Sequence, residues 1–213
     1  MTAAILRTQT FRRMAVLAAG LLVSACSILP KSETLAVYQL PAAPQAGQAS
    51  VQDRLPVSLR IATPYSSQVT DSTRILVVPQ GSQISAYSGA RWSDPAPVLL
   101  RNRLAGAFRA DGRFSAISLG GEGSLDTDFR LIGDLTAFQV VYENGAPVVH
   151  IHYDASLVQS TTNRSIATHR FAVTQAVQGK EIPRVVDAFG AAADRLAAEV
   201  VPWTRQQARA AKR

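Results

Sequence analysis

The sequence predicts an α+β domain: a mostly antiparallel sheet with two amphipathic helices packed on one face, preceded by an N-terminal export signal. Three observations predict it. Short apolar runs with strand periodicity recur from Val57 to Val177. Turn signals, Asn144-Gly145 and the TTNRS stretch that begins at Thr161, separate the last of these runs as hairpins would. Two stretches, one entered at Asp94 and one at Pro183, change to helical spacing. A chain of 213 residues suits one core with attachments, and no internal repeat is visible.

Taken in order, Leu35 to Leu40 (LAVYQL) reads as a first strand, and residues 41–54, rich in Pro, Ala, Gln and Gly, as a mobile loop. VSLRI then places Val57, Leu59 and Ile61 on one face by alternation. RILVV, from Arg74 to Val78, is a continuous apolar run that suits a central strand, and Ile84 to Tyr87 returns beside it across a turn containing Gly81. Asp94 is a good N-cap with Pro95 at N1. Pro97, Leu100, Leu104, Ala107 and Phe108 follow at helical spacing, Arg101, Arg103 and Arg109 face elsewhere, and Gly112 supplies the stop.

Three further strands fall around Phe129 to Tyr142, Val148 to Val158 and Ile166 to Val177. The middle one alternates cleanly: Val149, Ile151, Tyr153, Ala155 and Leu157 on one face, His150, His152, Asp154 and Ser156 on the other. A second helix runs from about Pro183 to Trp203, with Val185, Val186, Phe189, Ala192, Ala193, Leu196 and Val200 forming its core stripe and Phe189 expected in the core. TRQQARAAKR, residues 204–213, reads as a basic tail: a solvated helix end, or a contact for anionic head groups or an acidic partner.

The formal charge of +7 suggests a nucleic-acid binder until it is located. Of the 22 basic residues, three lie in the first thirteen positions and four in the last ten, leaving 15 basic residues against 15 acidic ones between Cys26 and Trp203. The folded body is neutral, and no nucleic-acid partner is expected. With one cysteine in the chain, no intramolecular disulfide can form.

Catalytic motifs are absent. His150 and His152, at i and i+2, project from one side of a strand, a spacing that can bind zinc, but His169 should lie on the opposite face and no cysteine adds a ligand. Solvated strand histidines are the simpler reading, so neither a metal site nor a cofactor is expected. No GxSxG elbow accompanies the histidines, and the glycine-rich residues 120–124 lack both the Walker lysine and the GxGxxG spacing.

The N-terminus carries a different kind of chemistry. Residues 1–13 hold three arginines and no acid, the ten residues MAVLAAGLLV follow, and then come Ser24, Ala25 and Cys26. This is a basic n-region, an apolar h-region and a small-residue cleavage site. Ten helical residues cover about 15 Å, half the roughly 30 Å hydrocarbon core, so a permanent span is a poor reading. VSAC resembles the bacterial lipobox, which implies a lipoprotein signal peptide over residues 1–25 and a lipidated Cys26, the covalent lipid being the only attached group expected. Residues 26–34 would form a tether. Two or three acyl chains make such an anchor effectively permanent. Ser27 stands where the sorting rule of enteric lipoproteins has aspartate for inner-membrane retention, which implies the outer membrane, with the body facing the periplasm.

From Leu35 onward the chain resembles the ABC-type transport auxiliary lipoproteins, the family of the PqiC-like component of MCE systems. The resemblance is carried by the early YQL strand, by Leu55 to Phe114 with ARWSDPAPVLLRNRL as its most specific stretch, by the strand ending in FQVVY, and by the terminal helix ending in PW. It implies a domain over residues 35–203 in a non-catalytic component that docks or tethers a complex at the outer membrane. The implied partners are an MCE-domain substrate-binding protein and an ABC permease and ATPase, moving lipid or other apolar cargo, with self-association into a homo-oligomeric ring as a further expectation. The competing classes are an envelope lipoprotein hydrolase and a structural lipoprotein without a transport partner. For partner contact the candidates are Tyr87, Arg91 and Trp92, because aromatic residues and arginine dominate interfaces. The alternative for Trp92 is a local fold-back on the first helix.

Overall fold

The computed structural model describes residues 35–41, 54–120 and 126–212. Residues 35–213 form one compact unit. The export signal, Cys26, Ser27, the tether, most of the expected mobile loop and most of the glycine-rich run lie outside the described residues.

The elements are β1 (Ala36–Tyr38), β2 (Leu55–Ile61), β3 (Arg74–Gln80), β4 (Gln83–Trp92), α1 (Ala96–Asp111), β5 (Phe114–Ser118), β6 (Phe129–Glu143), β7 (Ala146–Gln159), β8 (Arg164–Ala176) and α2 (Ile182–Ala211). Among the described residues all eight strands join one sheet. The α+β class holds, but the sheet is mixed rather than mostly antiparallel. Among the described residues β1·β4, β2·β5, β2·β6 and β3·β6 are parallel, while β3·β4, β6·β7 and β7·β8 are antiparallel.

The reason lies in β6. Its first part pairs with β2 (Leu59↔Phe129, Ile61↔Leu131) and its last part with β3 (Leu76↔Gln139, Val78↔Val141). Instead of turning back after Ile61, the chain runs on along the same edge of β6. The Tyr65 N–H donates to Gly133 O at 2.9 Å, and the Leu135 N–H donates to Tyr65 O at 2.7 Å. Helix α1 then carries the chain from β4 to β5, which lies parallel to β2. Hairpin signals specify neighbours in sequence, and these parallel pairs are not neighbours.

The hairpins themselves form as their turn residues dictate. Asn144 and Gly145 both have positive φ, 50° and 79°, between β6 and β7, and Asn163 (φ 53°) closes β7 onto β8. At Gly133 a side chain has no room: a Cβ would lie 2.1 Å from the Asp154 carbonyl oxygen.

Both helices share one core with the sheet. Val57, Leu59 and Ile61 of β2 and the alternating apolar residues of β7 face it, and Leu100, Leu104, Phe108 and Phe189 meet them. Strand β3 is buried on both faces from Ile75 to Val78, as its unbroken apolar run requires. Three details depart from the sequence reading. Helix α1 begins at Ala96, one residue late, with Pro95 at the N-cap and no side-chain cap; Asp94 instead accepts a hydrogen bond from Ser93 Oγ at 2.9 Å. Arg103 does not face solvent: it is buried, with Nη1 2.6 Å from Asp194 Oδ1, and so joins α1 to α2. Strand β5 was not anticipated, because the two large apolar residues of FSAIS, Phe114 and Ile117, are three apart and so break the period-two alternation that marks a strand.

Helix α2 does not end near Trp203. It continues through Pro202 for 30 residues in all, so the basic segment is a helix end, as one of its readings has it, but one partly packed on the core rather than solvated throughout. Proline removes one helical hydrogen bond. Beyond it Thr204 and Ala208 are buried again, Thr204 Oγ1 donates to Val200 O at 2.8 Å, Arg205 reaches Asp111 at 3.4 Å, and Lys212 Nζ donates to Pro56 O at 3.1 Å. Small apolar residues at helical spacing, Ala208 and Ala211, carry the stripe past the aromatic residue where the large ones stop.

Candidate functional site

The segment Tyr87, Arg91 and Trp92 is shaped by a large bulge. Leu76 pairs with Ala86 and Arg74 with Arg91, so two steps along β3 face five along β4, and Gly89 takes a positive φ of 69° within the excess. Such an insertion re-aims the side chains that follow it. Here it turns Ala90 and Trp92 into the core. Trp92 is wholly buried, with its ring edge-on to Phe189 (centroids 5.2 Å) and Phe138 (6.1 Å). It therefore offers nothing to a partner, which corrects the candidate assignment. Its aromatic partners belong to α2 and β6, within the core that α1 also joins. Tyr87 is half-buried beside Tyr142, and burial, followed by that neighbour, pushes its hydroxyl pKa up to about 12.

Arg91 is the member of the three that is exposed. In register it sits between Val37 of β1 and Arg74 of β3. Residues opposite one another in adjacent strands point to the same face, so Val37, Arg91 and Arg74 form a row on the side away from the helices. All three are exposed, Val37 at 53 % and its alternation partner Leu35 at 50 %. Among the described residues neither arginine is paired with an acid.

The polar face of β7 was correctly placed. His150 and His152 lie on one side with ring centroids 5.8 Å apart, and His150 Nε2 is 2.8 Å from Glu143 Oε1. His169, opposite Ala155, lies on the other face against Phe171 (4.5 Å) and Trp203 (6.0 Å). Among the described residues no group of three or more His, Cys, Asp or Glu side chains could hold a metal. Burial, then the His150 charge, hold His152 below its ordinary pKa of 6.5. Arg170 clamps Asp154 with Nε–Oδ1 at 2.5 Å and Nη2–Oδ2 at 2.8 Å, and this holds that carboxyl below its ordinary value. On the β2–β6 side Asp128 accepts from both the N–H and the hydroxyl of Ser58 at 2.7 Å, which lowers its pKa and seals the start of β6. These pairs satisfy one another within the sheet.

Open depressions lie elsewhere on the described surface. One, of about 350 Å³, is lined by Leu40, Asp94, Leu99 and Asn102 between β1 and α1; another, about 470 Å³, lies along Pro202, Arg205 and Arg209. Among the described residues no helix is long and apolar enough to cross a membrane.

The fold of this domain is found in other proteins. The crystal structure of protein XCC0632 from Xanthomonas campestris superposes with a TM-score of 0.74 at 24 % identity, covering 83 % of this chain and 98 % of that one. The protein CT253 of Chlamydia trachomatis shares the fold more distantly, with a TM-score of 0.52 at 8 % identity over 71 % of this chain and 96 % of its own. In sequence, an uncharacterized protein of Bradyrhizobium diazoefficiens is 26 % identical over 154 residues, 70 % of this chain. The chain spans 40 % of that relative's length. The model of the ABC-type transport auxiliary lipoprotein component family matches residues 38–201, and the chain belongs to that family.

Proposed function

We propose that this protein is a non-catalytic, lipid-anchored component of an ABC transport system of the MCE type, which docks or tethers the complex at the outer membrane while lipid or other apolar cargo crosses the envelope. The observation that carries this reading is the family match over residues 38–201, nearly the whole of the compact unit. The lipobox-like VSAC at residues 23–26 supplies the anchor, and Ser27 favours the outer membrane. Nucleotide hydrolysis belongs to a partner, since the chain carries no Walker motif. The PqiC-like refinement agrees with the same match.

The anchor is tested at Cys26. Wild-type protein should fractionate with the outer membrane and yield an N-terminal peptide heavier than its sequence by diacylglyceryl and acyl groups. Cys26→Ala should lose the added mass and leave that fraction, because the chain has no other thiol. An unmodified wild-type peptide, with unchanged fractionation of the variant, removes the anchor from the proposal.

A further inference from the structure

We infer that the corner of the sheet formed by β1, β4 and β3 is a membrane-facing surface, with Arg74 and Arg91 placed against anionic phospholipid head groups and Leu35 and Val37 against the acyl boundary beside them. Three observations carry this. Val37, Arg91 and Arg74 share the face opposite the helices, Leu35 immediately precedes β1, and all four are exposed. Both arginines lack an acidic partner among the described residues, and both stand in register with the exposed Val37. Finally, the chain enters the fold here. Cys26 precedes Leu35 by nine residues, which span at most roughly 30 Å when fully extended. A lipid on Cys26 would therefore hold this corner within that distance of the bilayer surface.

Apolar side chains rimmed by arginine suit an interfacial position, because the apolar part loses water while the guanidinium stays at phosphate depth. Arginine also pairs with phosphate in a two-pronged geometry that lysine lacks. The inference rests on lipidation at Cys26, which the proposed function also assumes.

The full lipidated protein is reconstituted into phosphatidylcholine vesicles with or without phosphatidylglycerol. In Val37→Cys the introduced thiol is the only free one, since Cys26 is consumed by its thioether, and it takes an environment-sensitive fluorophore. Thr162→Cys, in the β7–β8 turn, is the matched control. The label at position 37 should shift to the blue and be quenched by a lipid-borne quencher in phosphatidylglycerol vesicles, while the label at position 162 stays water-like. Combining Arg74→Gln with Arg91→Gln should lower the equilibrium constant between contacting and free label roughly ten- to thirty-fold, since each basic residue near an anionic surface contributes roughly fivefold. High salt should act in the same direction.

A water-like label at position 37 on protein whose N-terminal peptide carries the lipid overturns this surface and leaves the anchor reading intact. Protein that lacks the lipid and does not join vesicles overturns both. A shift that is equal in phosphatidylcholine alone and indifferent to both arginine substitutions overturns the head-group assignment. So does a shift that appears only when a partner protein is added, which would make the corner a protein interface.

Discussion

Phe189 ties α2 to two strands at once, stacked on Phe138 at 4.8 Å and edge-on to Trp92 at 5.2 Å. All three rings are buried, so truncating one removes contacts that nothing nearby can replace. Phe189→Ala and Trp92→Ala should each cost about 3 to 5 kcal/mol in chemical denaturation. Once folded in the cold, Trp92→Ala should keep wild-type affinity for any partner; reduced affinity with unchanged stability would contradict its place in the core. The Phe189 expectation came from helical spacing alone. Trp92 was ambiguous, because its direction depends on how many residues β4 spends in a bulge opposite β3, which no local pattern encodes. His152 permits a separate check. Its folded pKa lies below 6.5, so the unfolded chain binds the proton more readily and stability falls as pH drops through that region. Melting temperature should decline between about pH 7 and pH 5, and His152→Gln should flatten the decline. An unchanged slope in the variant would show that another group titrates there.

Elements with a strong local signal are the ones the sequence made legible. β6, β7 and β8 fall within two residues of their expected bounds, because alternation and left-handed turn residues act on neighbours in the chain. The parallel pairing of β2 and β3 with β6 was not legible. It depends on the backbone of Tyr65 bridging Gly133 and Leu135 from a loop without strand periodicity. The end of α2 was misjudged for another reason. Pro202 and a run of charge mark a helix stop by composition, yet burial of Thr204 and Ala208 and the Arg205–Asp111 contact favour continuing it. Truncation after Trp203 should therefore destabilise the domain by roughly 2 kcal/mol, read as a lower denaturation midpoint. A truncated protein with the wild-type midpoint would restore the picture of a dispensable tail.

At the scale of the molecule, the fold divides its surfaces between distinct tasks. One sheet face is consumed by the helices; on the other, charged groups such as Asp154 and Arg170 satisfy each other, while Arg74 and Arg91 at the β1–β4–β3 corner have no acidic partner among the described residues. The neutral body and the absence of a nucleophile motif were visible from residue counts and spacing. Which exposed residues meet a partner was not, because exposure is decided by packing between distant segments. Docking within an ABC transport complex is the central claim, and it is tested most directly by purifying the tagged wild-type lipoprotein from mildly solubilised envelopes and identifying what accompanies it. The account predicts stoichiometric recovery of an MCE-domain protein, with the permease and ATPase retained after cross-linking. Folded, lipidated protein that comes through the same purification without any of these components would contradict it.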